Sequence, residues 1–249
     1  MSESTASLRR KISGAGDLQS VVRTMKAMAA SSIGQYENSV SALADYYRTV
    51  ELGLVACLRE VGATQLIAEC KERTAARPIA AVVFGSDQGL VGQFNDMVAD
   101  YAIKTLAALP GHPQVWAVGE RVKTRLADAG LPLAGLYAVP NSVKAITPLV
   151  GQILIESDKH HSPSAIPELY LFHNQPTSNA VYTPISQRVL PLDDDWRRGL
   201  AKYRWPTINL PEVRGGGTIT LQAMIREYLF VSLFRACAES LASENASRL

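Results

Sequence analysis

No proline interrupts the chain between Leu8 and Val61, and apolar residues recur there at Val22, Met25, Ala29, Ile33, Tyr36, Val40, Leu43, Tyr47, Val50, Leu54, Cys57 and Val61. Almost every step is three or four residues. This is a helical stripe close to a heptad repeat, with one extra residue of drift between Met25 and Ile33. About 50 helical residues at ~1.5 Å each make a rod of roughly 75 Å. A compact body of about 130 residues has a radius of gyration of only about 14 Å. Much of such a rod must therefore lie against another helix or another chain, and a protruding shaft with coiled-coil pairing is expected. Gly14 and Gly16 each cost about 1 kcal/mol relative to alanine in a helix, so the first turns are expected to fray or kink.

The texture changes after the polar run Lys71 to Arg77. Ile79 to Phe84 reads as a buried strand, Asp96 to Leu109 as a helix, Gln114 to Val118 as a second strand and Gly119 to Ala129 as a second helix. A strand over Leu136 to Val139 and a helix over Ile146 to Ser157 follow, with Pro148 suited to the first helical turn. Such alternation implies a mainly parallel sheet covered on both faces. Glu168 to Asn174 and the Thr- and Val-rich stretch Ala180 to Leu190 read as an antiparallel pair at its edge. Proline, glycine and acidic residues dominate from Pro191 to Gly217, which reads as a linker. The proline-free end, Thr218 to Leu249, is helical, with Leu221, Ile225, Tyr228, Phe230, Phe234, Cys237 and Leu241 spread over more than one face, so it packs on two surfaces at once.

The fold expected is α/β: a Rossmann-like body at 78–190, an N-terminal shaft helix within 1–70, a linker at 191–217 and a C-terminal shaft helix at 218–249. With helices at both ends and the body between them, the two shaft helices can pair as an antiparallel coiled coil.

Composition narrows the function classes. Apolar residues make up 47% of the 249, enough for a sizeable core. Lys+Arg at 25 against Asp+Glu at 23 leaves a net charge of +2, which gives no reason to expect nucleic acid or direct membrane attachment. No stretch approaches the ~18 uninterrupted apolar residues of a membrane span. Cys57, Cys70 and Cys237 are odd in number and form no C-x-x-C pair, pointing to neither a disulfide framework nor a zinc site.

Three separated stretches carry a resemblance. Leu8-Arg9-Arg10-Lys11-Ile12-Ser13, then Gln19, then Thr24 to Ser31 (TMKAMAAS) resembles the N-terminal signature of ATP synthase gamma subunits. Gly85 to Asn95 (GSDQGLVGQFN) is similar to that family's S-D-R-G-L-C-G-x-[FL]-N motif. Glu239 to Leu249 (ESLASENASRL) is similar to its E-S-L-A-S-E-H-A-A-R-M block. The order and separations match over essentially the whole chain. Gln88 stands where the family carries a basic residue, Val91 where it has a small residue or Cys, and Gln93 where it has the second glycine of the pair. Leu18 to Arg23 replaces the common T-Q-K-I-T-K. These departures suggest a divergent branch, such as the alternative ATPases that some bacteria carry beside their main synthase. Family members usually continue for about thirty residues beyond the C-terminal block, so the sequence reads either as a fragment or as a short form with a blunted tip.

The resemblance implies a non-catalytic rotor-stalk subunit at the cytoplasmic face of the bacterial inner membrane. Its implied partners are the alpha and beta subunits of the catalytic ring, the epsilon subunit and the membrane c-ring, with no cofactor. It places Met25, Lys26 and Arg23 where the shaft meets an acidic lever segment of the beta subunit. Exposed ion pairs there are worth under about 1 kcal/mol each. Arg9 and Arg10, beside Lys11, are either a beta-ring contact or a solvated helix face. Asp87 and Asn95 in the glycine-rich loop, and Glu239, Ser243 and Glu244 in the C-terminal block, are the further subunit-interaction candidates.

Other chemistry finds little support in the residues. Gly85, Gly89 and Gly92 follow a strand and precede a helix, but their spacing is neither G-x-G-x-x-G nor G-x-x-x-x-G-K-[ST], and a structural turn is the better reading. Asp193 to Asp195 are consecutive on a linker and converge poorly on one ion. His160, His161 and His173 have no second ligand at metal spacing and are read as structural. Ser86 and Ser186 lack a nucleophile-elbow context. The alternatives are a small nucleotide-binding α/β enzyme with a coiled-coil oligomerisation helix, which leaves the long stripe unexplained, and an unrelated coiled-coil scaffold, which leaves the three motifs unexplained.

Overall fold

The structure, a computed structural model, describes residues 4–61, 78–159, 168–177, 181–192, 196, 198–199, 205–209, 211–214 and 217–249. Cys70, the polar run at 71–77, His160, His161 and Asp193 to Asp195 lie outside them. The N-terminal helix α1 runs Thr5–Val61 without a break, roughly 85 Å at about 1.5 Å per residue. Gly14 and Gly16 are helical, and a Cβ at either would meet nothing within 4 Å, which corrects the expected fray. Their propensity penalty does not interrupt a helix that is already propagating on both sides. Along the stripe, Ala29, Tyr36, Val50, Leu54 and Cys57 are buried, whereas Val22 is 41% exposed.

The body follows as β1 (Ile79–Phe84), α2 (Phe94–Ala107), β2 (Pro113–Val118), α3 (Glu120–Asp128), β3 (Leu133–Tyr137), α4 (Val143–Lys159), β4 (Glu168–Gln175) and β5 (Thr183–Leu190), and the chain closes with α5 (Gly217–Ser247). Two sequence-based positions shift. The third strand lies three residues earlier than expected, because pairing with β2 starts at Val115 with Leu133 and passes a register irregularity before Trp116 meets Gly135. Pro148 lies inside α4 and not in its first turn. It is exposed there, so the hydrogen bond it removes is lost at the solvent side.

The sheet has the order β3-β2-β1-β4-β5. The first four strands are parallel and β5 is an antiparallel edge. Alternation along each strand sorts two cores. Ile79, Ala81, Val83, Val115, Ala117 and Phe172 face α2 and α3 through Val98, Ala102, Leu106, Val122 and Leu126. Ala80, Val82, Phe84, Trp116, Val118 and Leu171 face the other side, where Ile146 and Val150 of α4, Val231, Leu233 and Ala236 of α5, and Leu54 of α1 close the layer.

The two terminal helices pack against each other in opposite directions. Tyr36 faces Cys237 and Glu244, Tyr47 packs on Tyr228 with ring centroids 5.7 Å apart, and Gly53 leaves the space that Met224 fills. Residues Ala236 to Glu244 are all buried. A helix apolar on one stripe buries one face; a stretch covered all round has neighbours on every side. For α5 these are α1, α4 and the sheet.

Candidate functional site

The Thr24 to Ser31 part of the first motif stretch and the two other stretches, far apart in sequence, meet at one end of the sheet. β1 runs out at Phe84, and Gly85 N–H still bonds the Val118 carbonyl at 2.8 Å. The loop then folds on itself. Ser86 N–H donates to Asn95 Oδ1 at 2.9 Å, Asn95 Nδ2 donates to Ser86 Oγ at 2.8 Å, and Ser86 Oγ–H donates to the Gln88 carbonyl at 2.9 Å. Asp87 bridges two neighbours: Oδ1 accepts the Glu120 N–H at 3.0 Å and Oδ2 the Val139 N–H at 2.8 Å. The first of these sets a carboxylate on the N-terminus of α3, where the helix dipole and a free N–H both favour it.

The end of α5 lies across this loop. Arg248 Nη1 donates to the Gly89 carbonyl at 3.1 Å and Nη2 reaches Glu244 at 2.7 Å. Ser243 Oγ–H donates to the Asn174 carbonyl at 3.0 Å, and Asn174 Nδ2 to the Phe94 carbonyl at 2.9 Å. Burial raises the Glu244 carboxyl above its ordinary value, and the nearby Asp87 adds to this while Arg248 opposes it. On Glu239 burial also disfavours charge, but the His173 hydrogen bond and the Arg235 guanidinium outweigh it and hold the carboxyl below its ordinary value.

In a doubly wound sheet the ligand crevice opens at the carboxyl ends of the strands where strand order reverses. Here that point is between β1 and β4, and Glu239 and Ser243 of α5, with Arg248 just beyond its end, occupy it. The glycine-rich loop is therefore a bracket for the chain's own helix, which disfavours the nucleotide-enzyme alternative. Burial pushes the Cys57 and Cys237 thiols up, away from thiolate chemistry. Among the described residues, no group of three or more His, Cys, Asp or Glu is placed to hold a metal ion, and no helix is long and apolar enough to cross a membrane.

The sequence-predicted site residues divide by burial. Arg9, Arg10, Arg23 and Lys26 are exposed on α1, and Met25 is half-buried. Met25, Asp87 and Glu244 come together around a cleft of about 260 Å³, also lined by Tyr36, Pro140 and Arg248. Arg9 and Arg10 lie roughly 24 Å up the helix from Met25 and do not join it. Asn95, Glu239, Ser243 and Glu244 are buried and bonded within the chain. His173, expected to be structural, is buried against Glu239. Sequence reasoning missed Leu90, a non-glycine residue with φ of 61° and a 62% exposed side chain. It also missed Arg248 as the tie between two motifs, although both lie in the matched stretches.

A long helix packed in the opposite direction along the C-terminal one, both fastened to an α/β body with a mostly parallel sheet, defines a stalk-type subunit. The family model described as ATP synthase matches residues 4–249, and the chain belongs to the ATP synthase gamma family. It is 23% identical to the ATP synthase gamma chain of Nitrosomonas eutropha over 99% of this chain and 85% of that one, and 25% identical to that of Parafrankia sp. over 96% and 81%. The structure is similar to the central stalk in a cryo-EM structure of Tetrahymena thermophila mitochondrial ATP synthase, with a TM-score of 0.61 and 19% identity over 92% of this chain and 96% of that one. It is also similar to a rotor chain of Euglena gracilis mitochondrial ATP synthase, with a TM-score of 0.50 and 11% identity over 92% and 88%.

Proposed function

We propose that this central-stalk subunit works as a torque-transmitting rotor and carries no catalytic site of its own. Ion flow through a membrane c-ring turns the body, and the paired helices, acting as an antiparallel coiled coil, push the beta subunits of an alpha–beta ring in sequence between binding and release states. In hydrolysis the direction reverses. The effect on the catalytic subunits is a biasing of conformational populations by asymmetric contact. The observation that carries this reading is the crevice between β1 and β4: α5 fills it, so shaft and body are joined through the buried Ser243–Asn174 hydrogen bond and the part-buried Arg248–Gly89 one.

In this reading residues 1–70 and 218–249 are the shaft, 78–190 the body and 191–217 the connection. Arg23 and Lys26 on the exposed flank of α1 meet acidic carboxylates of the beta subunit beside the half-buried Met25, Arg9 and Arg10 meet the ring further along, and Asp87 sets the loop beside them. The body supplies the surfaces for the epsilon subunit and the c-ring. The complex sits at the cytoplasmic face of the bacterial inner membrane, attached through its partners. Co-expression with alpha and beta subunits tests the proposal. Assembly and coupled ATPase activity are expected, and a chain that purifies alone from cells producing all three would sink it.

A further inference from the structure

Glu239 is where three elements meet through charge. Its Oε2 lies 2.8 Å from His173 Nε2 and accepts from Gln175 Nε2 at 3.1 Å, both on β4, while Oε1 accepts from Arg235 Nε at 2.8 Å on its own helix. The Arg235 guanidinium in turn stands over the Tyr47 ring of α1, 5.5 Å from its centroid. Tyr47 continues the chain: its hydroxyl accepts from Gln187 Nε2 of β5 at 3.0 Å and donates to the Tyr228 hydroxyl at 3.4 Å. One polar path thus crosses from the sheet through α5 to α1 and back to the sheet edge.

The seam around this path is apolar, with Val50, Leu54, Val231, Leu233 and Ala236 buried in it. Apolar burial is non-directional. It resists separation of the helices from the sheet but opposes a small sliding or rotation only weakly. Short charge-assisted hydrogen bonds are directional and roughly twice as strong as neutral ones. The His173 and Glu239 side chains are 2% and 5% exposed, so water does not compete for those bonds. Stability alone does not account for the arrangement: among the described residues His173 Nδ1 is buried with no hydrogen-bond partner, and well-packed apolar residues commonly hold such a seam as well as a buried ionic group does.

We propose that the chain Tyr47–Arg235–Glu239–His173 is the torsional key of the subunit, with Glu239 the positioning residue that fixes the rotational register of the paired helices against the sheet. This rests on the rotor reading. Load applied to the body reaches the shaft through bonds that resist twist, and the apolar seam serves to hold the parts in contact.

The test uses complexes assembled with alpha and beta subunits, the ring immobilised and a bead on the body of this chain, with angular fluctuations recorded at a fixed dwell. Glu239→Gln and Arg235→Met are expected to lower the torsional stiffness about twofold, the ratio of charged to neutral hydrogen-bond strength. Arg235→Lys, which keeps the charge, and Arg226→Met, at an exposed site on the same helix, are expected to match the wild type. ATP hydrolysis without load, per assembled complex, is expected to stay at the wild-type rate. Wild-type stiffness in both Glu239→Gln and Arg235→Met, or an equal loss in Arg226→Met, would overturn the proposal. If Glu239→Gln does not assemble, hydrogen exchange on the full chain reads the same joint. Faster exchange confined to 172–175 and 235–243 supports the key, and exchange that is unchanged or accelerated evenly along both helices overturns it. Failure of the wild-type chain to assemble removes the rotor reading and the torsional role with it, an outcome distinct from normal assembly with unaltered stiffness.

Discussion

Arg248 ties the last turn of α5 to the loop after β1 by donating to the Gly89 carbonyl at 3.1 Å while its other nitrogen holds Glu244 at 2.7 Å. The two side chains are 10% and 9% exposed. Removing one partner of a buried pair leaves the other charge uncompensated, which is far more costly than replacing both. Arg248→Ala is therefore expected to destabilise the chain by about 3 kcal/mol, read from urea denaturation midpoints. The double variant Arg248→Ala with Glu244→Gln should recover part of the loss. A double variant no better than the single one would show that the Gly89 bond, and not the stranded carboxylate, carries the effect.

Glu239 and Glu244 are five positions apart on one buried helix, yet their environments push them in opposite directions. The Glu239 carboxyl is held below the ordinary 4.5, where its stabilising charge is present above the unfolded value and is lost as pH falls through the lower folded one. Glu239→Gln should then be less stable than the wild type at neutral pH, with the gap closing on the acid side of 4.5. The Glu244 carboxyl is raised above 4.5, so the folded state favours its protonated form, and that contribution is lost as pH rises through the raised value. Glu244→Gln leaves Arg248 unpaired and should start below the wild type in acid, then gain on it as pH rises through the raised value. Thermal unfolding of the three proteins across this range checks the ordering, and parallel curves would show that neither carboxyl is linked to folding.

How far this could be read in advance follows from which forces are local. The strand Ile79–Phe84 lies where its apolar run predicts it, since six buried residues in a row leave few other homes. Along the stripe from Ala29 to Cys57 on α1 every residue is buried or half-buried, as its period requires. Val22 is not, because period alone does not say how far along the helix a partner reaches. The partnership of His173 with Glu239 spans 66 residues and depends on α5 entering the crevice beside β4, which no local pattern encodes. The spread of apolar residues on α5 over several faces did hint at two packing surfaces. What it could not give was the burial of the polar residues within Ala236 to Glu244, where Glu239, Ser243 and Glu244 read as subunit contacts and Glu239 and Ser243 bond the end of β4.

Gly119 turns the chain from β2 into α3 with φ of 114°. A Cβ there would meet the Ser86 backbone, with the carbonyl oxygen at 2.8 Å, and backbone cannot swing aside as a side-chain tip can. Gly119→Ala is expected to cost about 3 kcal/mol, at the upper end for a strained backbone position. Gly130 is the natural comparison. Its φ of 76° also disfavours a side chain, but none of the described residues lies within 4 Å. Gly130→Ala should therefore cost only about 1 kcal/mol. Denaturation midpoints separate steric collision from conformational preference, and equal costs would contradict the close approach at Ser86.

Leu54 and Leu18 stand on the same helix in opposite circumstances. Leu54 is fully buried between α1, α5 and the sheet, while Leu18 is 58% exposed on the stretch of α1 that precedes the contact with α5. Leu54→Ala opens a cavity in the seam and is expected to cost about 3 kcal/mol. Leu18→Ala should change the stability of the isolated chain by no more than about 0.5 kcal/mol. In the assembled complex the ordering carries functional meaning. If the early turns of α1 are the surface that meets the ring, Leu18→Ala should weaken assembly with alpha and beta subunits while leaving the isolated chain's unfolding unchanged. Leu54→Ala should act on both in proportion. Unfolding of the purified chain, set beside the yield of complex at matched expression, decides between the two, and a Leu18→Ala chain that assembles like the wild type would move the contact away from that part of the helix.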